Sequence, residues 1–367
     1  MKARIDDIEV LRGIAILCVL VQHIPDIFPW SVSPSDPPRL GWWVGVDIFF
    51  AVSGYVIARQ LLPALAAAAN PEARWSVIRA FWIRRAWRLL PAAWLWLALI
   101  LMAVCLFNES GVFGDLQTNL EATAAGVFQY ANVRLDRVFG VKPYGVSFPY
   151  WSLSLEEQFY LVLPLLVLLC GRRLLWLLLL IVLVRFAIGN LGSAFRVEGL
   201  ALGVLVAIAQ QHNRLAVPDW FGRLPPWVRL ALIPAVLWPM LLLGKVTGSS
   251  PPPTQGIIAL FATALLVIAA QDRGLLRLPR PLHGVVLWFG SRSYSLYLAQ
   301  IPIFWATREL WFRAGVTSPG NGDALRFGMT ACVLLIVAVE LSWRFVEQPL
   351  RRYGAALASR HLAPFKA

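Results

Sequence analysis

Apolar residues in this chain come in long uninterrupted runs rather than in the alternating or stripe patterns of water-soluble strands and helices. Ten runs stand out, at roughly 9–28, 41–62, 89–107, 151–170, 173–189, 195–210, 228–244, 255–271, 285–307 and 326–346. Each approaches the about 20 residues that a helix needs to cross a bilayer, so the pattern predicts an all-α polytopic membrane protein of about ten transmembrane helices. An eleventh stretch, 118–134 (TNLEATAAGVFQYANVR), is more polar and reads either as another span or as a helix lying between spans. Arg12 interrupts the start of the first run, and the His-Ile-Pro-Asp that follows it is no small-residue cleavage site, so that run reads as a retained span. The hydrophilic gaps, 63–88 and 108–150 the longest, are loop-sized. A single membrane domain over 1–367 with no appended soluble domain is therefore expected.

Composition agrees with lipid as the main solvent. The chain is 59% hydrophobic and 14% charged with a mean hydropathy of +0.66, where soluble domains run near 45–50% apolar and about 25% charged. Its formal charge of +13 is carried mainly by arginine. The arginines sit in short segments between apolar runs, which points to topology and an anionic ligand rather than to nucleic acid. With ten spans and a cytoplasmic N-terminus, the inner segments carry 22 Lys and Arg and the outer ones 9. An eleventh span would move most of the 22 outside, so both termini are expected in the cytoplasm. Cys18, Cys105, Cys170 and Cys332 lie in apolar runs without metal-ligand spacing; buried thiols and no metal site are expected.

Polar groups inside such runs need a reason, because each charge costs about 2.5–3.5 kcal/mol on insertion scales. Arg12 and His23 share the first run, 11 residues apart, almost three helical turns. Both then face one way, separated by roughly 16 Å of rise, with Arg12 near the inner face and His23 near the outer one. WSLSLEEQFY at 151–160 adds Glu156 and Glu157. One acid is explained by a helix N-terminus; two are better explained by a cavity or a partner such as the His23 ring, whose tautomer a carboxylate fixes. FWIRRAWRLLPA at 81–92 places Arg84, Arg85 and Arg88 at helical spacing. Basic residues flanking a span are what topology alone produces, whereas a guanidinium cluster on one face also suits phosphates. Asp47, Ser53, Trp151, Tyr297 and Gln300 are candidate substrate contacts. Arg196 with Glu198, and Glu347 beside Arg351 and Arg352, read as structural ion pairs. Trp30, Trp42, Trp43 and Trp151 near the outer ends fit an interfacial aromatic belt.

LRGIAILCVLVQH (11–23), GVDIFFAVSGYVI (45–57), FWIRRAWRLLPA (81–92), WSLSLEEQFY (151–160), FRVEGLALGVLVAIA (195–209), SYSLYLAQIP (293–302) and FVEQPLRR (345–352) together resemble the acyltransferase-3 family of polytopic membrane O-acyltransferases, in family order along essentially the whole chain. The resemblance implies acyl transfer, usually acetyl from acetyl-CoA, to a hydroxyl of an envelope carbohydrate or similar acceptor, with no tightly bound cofactor. It marks Arg12, His23, the Arg-x-x-Arg pair Arg85 and Arg88, and Glu156 with Glu157 adjacent. Where many members read Tyr-Leu-x-His, this chain has Tyr297-Leu298-Ala299-Gln300, so a histidine there takes no part here. The expected arrangement has Arg12, Arg85 and Arg88 holding cytoplasmic acyl-CoA by its phosphates. His23 then acts on the acceptor as general base or as acyl carrier, with Glu156 or Glu157 orienting its ring. A transporter or flippase of a lipid-linked or polysaccharide substrate is the alternative; it gives no reason for the arginine cluster.

Overall fold

The computed structural model describes residues 5–31, 39–188, 193–245 and 253–362, all of them helical or in connecting turns, with no strand among the described residues. Both chain ends, whose cytoplasmic placement the charge count suggests, lie outside them. The first apolar run forms α1 (Asp6–Gln22), closes at His23 and turns into the one-turn α2 (Ile24–Ile27), where Pro25 sits in the first turn. His23 is thus the residue after the last turn of α1, rather than inside a helix running to 28.

α3 (Gly45–Ala66) is followed by α4 (Pro71–Leu106). The Asn70 side chain accepts the amide of Ala73 at 2.8 Å and Pro71 opens α4, the usual chemistry of a helix start. At 36 residues α4 is roughly 54 Å long, well beyond the about 30 Å of a hydrocarbon core. The ambiguous stretch 118–134 is two helices, α5 (Leu116–Val127) and α6 (Ala131–Val138), separated at Gln129 by a positive φ of 58°. Twelve residues rise only about 18 Å, so α5 does not span; it packs on α4.

α7 (Tyr150–Cys170) ends where Gly171 takes a φ of 49°, and α8 (Leu174–Ile188) follows. Then come α9 (Glu198–Gln211), the short α10 (Asp219–Arg223), α11 (Pro226–Lys245) and α12 (Thr254–Ala269). The expected single span 285–307 is broken at Arg292 into α13 (Leu282–Ser291) and α14 (Ser293–Arg313). α15 (Ala324–Leu341) continues through a π-helical turn, Ser342–Glu347, into α16 (Gln348–Leu362).

Each of the ten apolar runs therefore falls on helix, and five helical stretches are long and apolar enough to cross a membrane: Trp42–Ala66, Pro71–Leu106, Tyr150–Ala187, Pro226–Lys245 and Asn321–Leu362. α9, α12 and α13 are apolar but shorter. Leu325, Met329, Val333 and Ile336 stand exposed along one face of α15, as do Trp176, Leu180 and Leu183 on α8, which is the surface of a protein integral to a membrane. Cys105 and Cys332 share that exposure, while Cys18 is buried; the expectation of four buried thiols holds for one.

Glycines let the inner helices touch. A Cβ on Gly54 of α3 would lie 2.1 Å from the Leu200 carbonyl oxygen, and one on Gly203 of α9 would lie 2.1 Å from that of Ala51. Gly290 of α13 meets the Glu9 carbonyl of α1 in the same way. α14, with Tyr297, Gln300 and Thr307 buried, runs through the interior.

Candidate functional site

Helices α1, α3, α4, α7 and α14, with the π-turn region after α15, enclose a cavity of about 330 Å³. Five arginines line it: Arg12 from α1, Arg59 from α3, Arg85 and Arg88 from α4, and Arg351 from α16. Three acids face them, Glu9, Glu156 and Glu347.

Helical period explains the lining. On α7, Ser152, Glu156 and Tyr160 recur every four residues and all reach the cavity. Tyr160 donates its hydroxyl to Glu156 Oε2 at 2.6 Å and Ser53 donates to Oε1 at 3.0 Å, so both carboxylate oxygens are held. Glu157, one position round the helix, does not line the cavity, and its buried Oε1 has no hydrogen-bond partner among the described residues. On α4 the spacing of three carries Arg85 and Arg88 inward and leaves Arg84 off the lining. The Arg85 guanidinium sits 5.6 Å from the Phe81 ring centre and 5.5 Å from that of Tyr160. Arg12 pairs with Glu9 at 3.3 Å. Arg59, Arg85 and Arg88 form no ion pair among the described residues, which leaves them available to an anion.

Tyr297 lines the cavity from α14. Its hydroxyl shares a 2.7 Å hydrogen bond with Ser152 Oγ and donates to the Pro149 carbonyl at 3.1 Å. Gln300, one turn on, is fully buried away from the cavity, with Oε1 lacking a partner among the described residues.

His23 is not part of the lining. The carboxylate on its ring is that of Asp26, whose Oδ2 lies 3.1 Å from Nδ1, and not Glu156 or Glu157. Asp26 Oδ1 in turn accepts the indole N–H of Trp305 at 3.2 Å. Phe148, four residues ahead of Ser152 on the chain entering α7, packs on the His23 ring with centroids 5.3 Å apart.

Asp47 and Trp151 also lie elsewhere. Arg196 reaches Asp47 with 2.7 Å contacts, both side chains buried, and its guanidinium stacks 4.6 Å from the Trp43 ring centre and 5.7 Å from that of Trp151. Glu198 pairs not with Arg196 but with Arg185, at 3.1 Å. Glu347 accepts the Ser295 hydroxyl at 2.9 Å. Arg196 and Glu198 stand only two residues apart, a spacing that does not bring side chains face to face, and each pairs with a different segment.

Arg59, Tyr160 and Glu347 line the cavity and Asp26 contacts the His23 ring, and none of the four is a candidate site residue from the sequence. A signal existed for three of them. Arg59 lies six residues beyond Ser53 and Val56 lies between them on the lining face; Tyr160 repeats Glu156 one turn on; Asp26 follows His23 by three. Glu347, read from the sequence as part of a structural ion pair, closes the π-helical turn Ser342–Glu347, which shifts the helical phase along that face.

No solved structure matches the chain. Among curated proteins it is similar to the peptidoglycan O-acetyltransferase OatA of Listeria monocytogenes, 27% identical over 95% of this chain and 56% of that protein. It is similar to the provisionally named peptidoglycan O-acetyltransferase YrhL of Bacillus subtilis, 28% identical over 98% of this chain and 56% of that protein. The chain thus spans little more than half the length of these relatives. The acyltransferase-3 profile, an acyltransferase domain, matches residues 5–343, and the chain belongs to that family.

Proposed function

We propose that the protein is a membrane O-acetyltransferase that moves an acetyl group from acetyl-CoA to a hydroxyl of an envelope carbohydrate of the peptidoglycan class. Family membership supports acyl transfer, and the names of the similar proteins supply the acceptor class. The observation that carries the donor is the cavity in which Arg59, Arg85 and Arg88 are left without carboxylates among the described residues. All five lining arginines come from segments that the basic-residue count assigns to the cytoplasmic side, where coenzyme A resides.

In this reading the coenzyme A phosphates take up Arg12, Arg85 and Arg88, with Arg59 alongside. The pantetheine arm runs past Ser152 and Tyr297 toward the His23 end of α1. His23 Nε2 takes the proton of the acceptor hydroxyl, and the oxygen attacks the thioester carbonyl. The carbon–sulfur bond breaks, and the departing thiolate recovers the proton from the ring. Products are the O-acetyl ester and free coenzyme A.

Binding of coenzyme A to protein in nanodiscs tests the donor. Arg85→Ala or Arg88→Ala removes one charge-assisted contact, about 1.5–3 kcal/mol, so Kd should rise roughly 10- to 100-fold. Unchanged affinity in both variants would overturn the donor site. His23→Ala should keep that affinity and abolish transfer.

A further inference from the structure

We infer that Asp26, oriented by Trp305, is the positioning residue that sets the tautomer of His23 for transfer. The inference rests on the acyl-transfer reading above, but its geometry stands apart from the arginine cavity.

The chain of contacts is short. Trp305 Nε1 is 3.2 Å from Asp26 Oδ1, and Asp26 Oδ2 is 3.1 Å from His23 Nδ1. An ionised carboxylate only accepts, so Nδ1 must carry the hydrogen and Nε2 is left with its lone pair. Nε2 has no hydrogen-bond partner among the described residues. A base needs that arrangement: one nitrogen fixed, the other open to an acceptor hydroxyl. Asp26 occupies the one-turn α2, which is too short to hold a side chain in place by itself. The indole comes from α14, 279 residues further along the chain, and fixes which oxygen faces the ring. The helix that carries Tyr297 into the cavity therefore also sets the carboxylate on His23.

Trp305 makes the inference testable in a way that a purely structural aspartate would not satisfy. In Asp26→Asn the indole N–H still demands an acceptor, so the amide oxygen turns to Trp305 and the amide nitrogen faces Nδ1. The NH2 group then donates to Nδ1 and drives the proton to Nε2, the wrong tautomer for a base. Removing the indole N–H with Trp305→Phe frees the amide to flip, and Nδ1–H can again find an oxygen. The second substitution should repair the first.

The test uses the full chain in nanodiscs, with 15N-labelled histidine and acetyl-CoA as donor to glycan strands. Wild type should show Nδ1 protonated and Nε2 bare. Asp26→Asn should invert this and slow transfer at least about 100-fold, with coenzyme A affinity unchanged within twofold. Asp26→Asn/Trp305→Phe should restore the tautomer and at least a tenfold higher rate than Asp26→Asn alone. An unchanged tautomer in Asp26→Asn, or a double variant no faster than the single, would overturn the inference. Wild type that transfers nothing from acetyl-CoA would sink the acyl-transfer reading instead, while the ring's tautomer would still decide whether Asp26 orients His23.

Discussion

Arg196 is buried against Trp43 and Trp151, and among the described residues Asp47 is its one ion-pair partner, which makes that aspartate a structural necessity. Removing one partner of a buried pair leaves an uncompensated charge and costs about 3–5 kcal/mol. Asp47→Ala should therefore lower the melting temperature and the folded yield sharply, and Asp47→Leu/Arg196→Met should recover most of the loss. A single variant as stable as wild type would return Asp47 to the ligand. At this scale Arg12, Ser53, Arg85, Arg88, Glu156 and Tyr297, each a candidate from the sequence, line one cavity. They were legible because charges and hydroxyls in apolar runs are conspicuous and helical spacing groups them. Which carboxylate holds His23 was not legible. Glu156 and Glu157 drew attention by their burial cost, whereas Asp26 sits in a turn where an acid costs nothing unusual.

Between helices, stability depends on close backbone approach more than on side-chain volume. Gly203 of α9 lies where any Cβ would strike the Ala51 carbonyl of α3, so Gly203→Val should separate the pair. The expected result is loss of monodisperse protein in detergent; a variant with wild-type melting behaviour would show that α3 and α9 slide freely. The α5–α6 segment is pinned differently. Arg134 donates to the Tyr144 carbonyl at 2.7 Å and to Glu121 at 3.2 Å, and stacks on the Tyr144 ring at 4.4 Å. Arg134→Ala should cost about 2–3 kcal/mol, read as faster hydrogen exchange across 116–138. Arg134 first and Lys142 next hold the Glu121 carboxyl below its ordinary range. Its folded value is depressed, so its contribution is present above the unfolded carboxylate value and disappears as pH falls through the lower folded one. The Glu121 side chain is 41% exposed, so the effect should be small and weaken with salt; protection factors across 116–138, corrected for intrinsic exchange, that rise on acidification would contradict it. Element boundaries were the least legible feature. Apolar composition reports contact with lipid or core, but the stops at His23, Gln129, Gly171 and Arg292 are set by local backbone conformation inside or beside apolar stretches.

For the whole molecule, the apolar runs established a membrane-embedded helical protein, and the structure gives five stretches long enough to cross. Shorter helices such as α9 and α12 are buried against others, and composition alone does not distinguish them from spans. The arginines of the cavity and the His23–Asp26 pair lie toward opposite ends of α1, separated by about 16 Å of helix rise between residues 12 and 23. That separation suits a donor that enters on one side and an acceptor that waits on the other. The central claim is the acyl transfer itself. It is tested most directly by measuring ester-linked acetyl on envelope glycans, by mass spectrometry, in a host lacking the gene and rescued with wild type or His23→Ala at equal membrane levels. Acetyl esters restored by wild type alone are the expected result; glycans carrying the same acetyl ester content with and without the wild-type protein would contradict it.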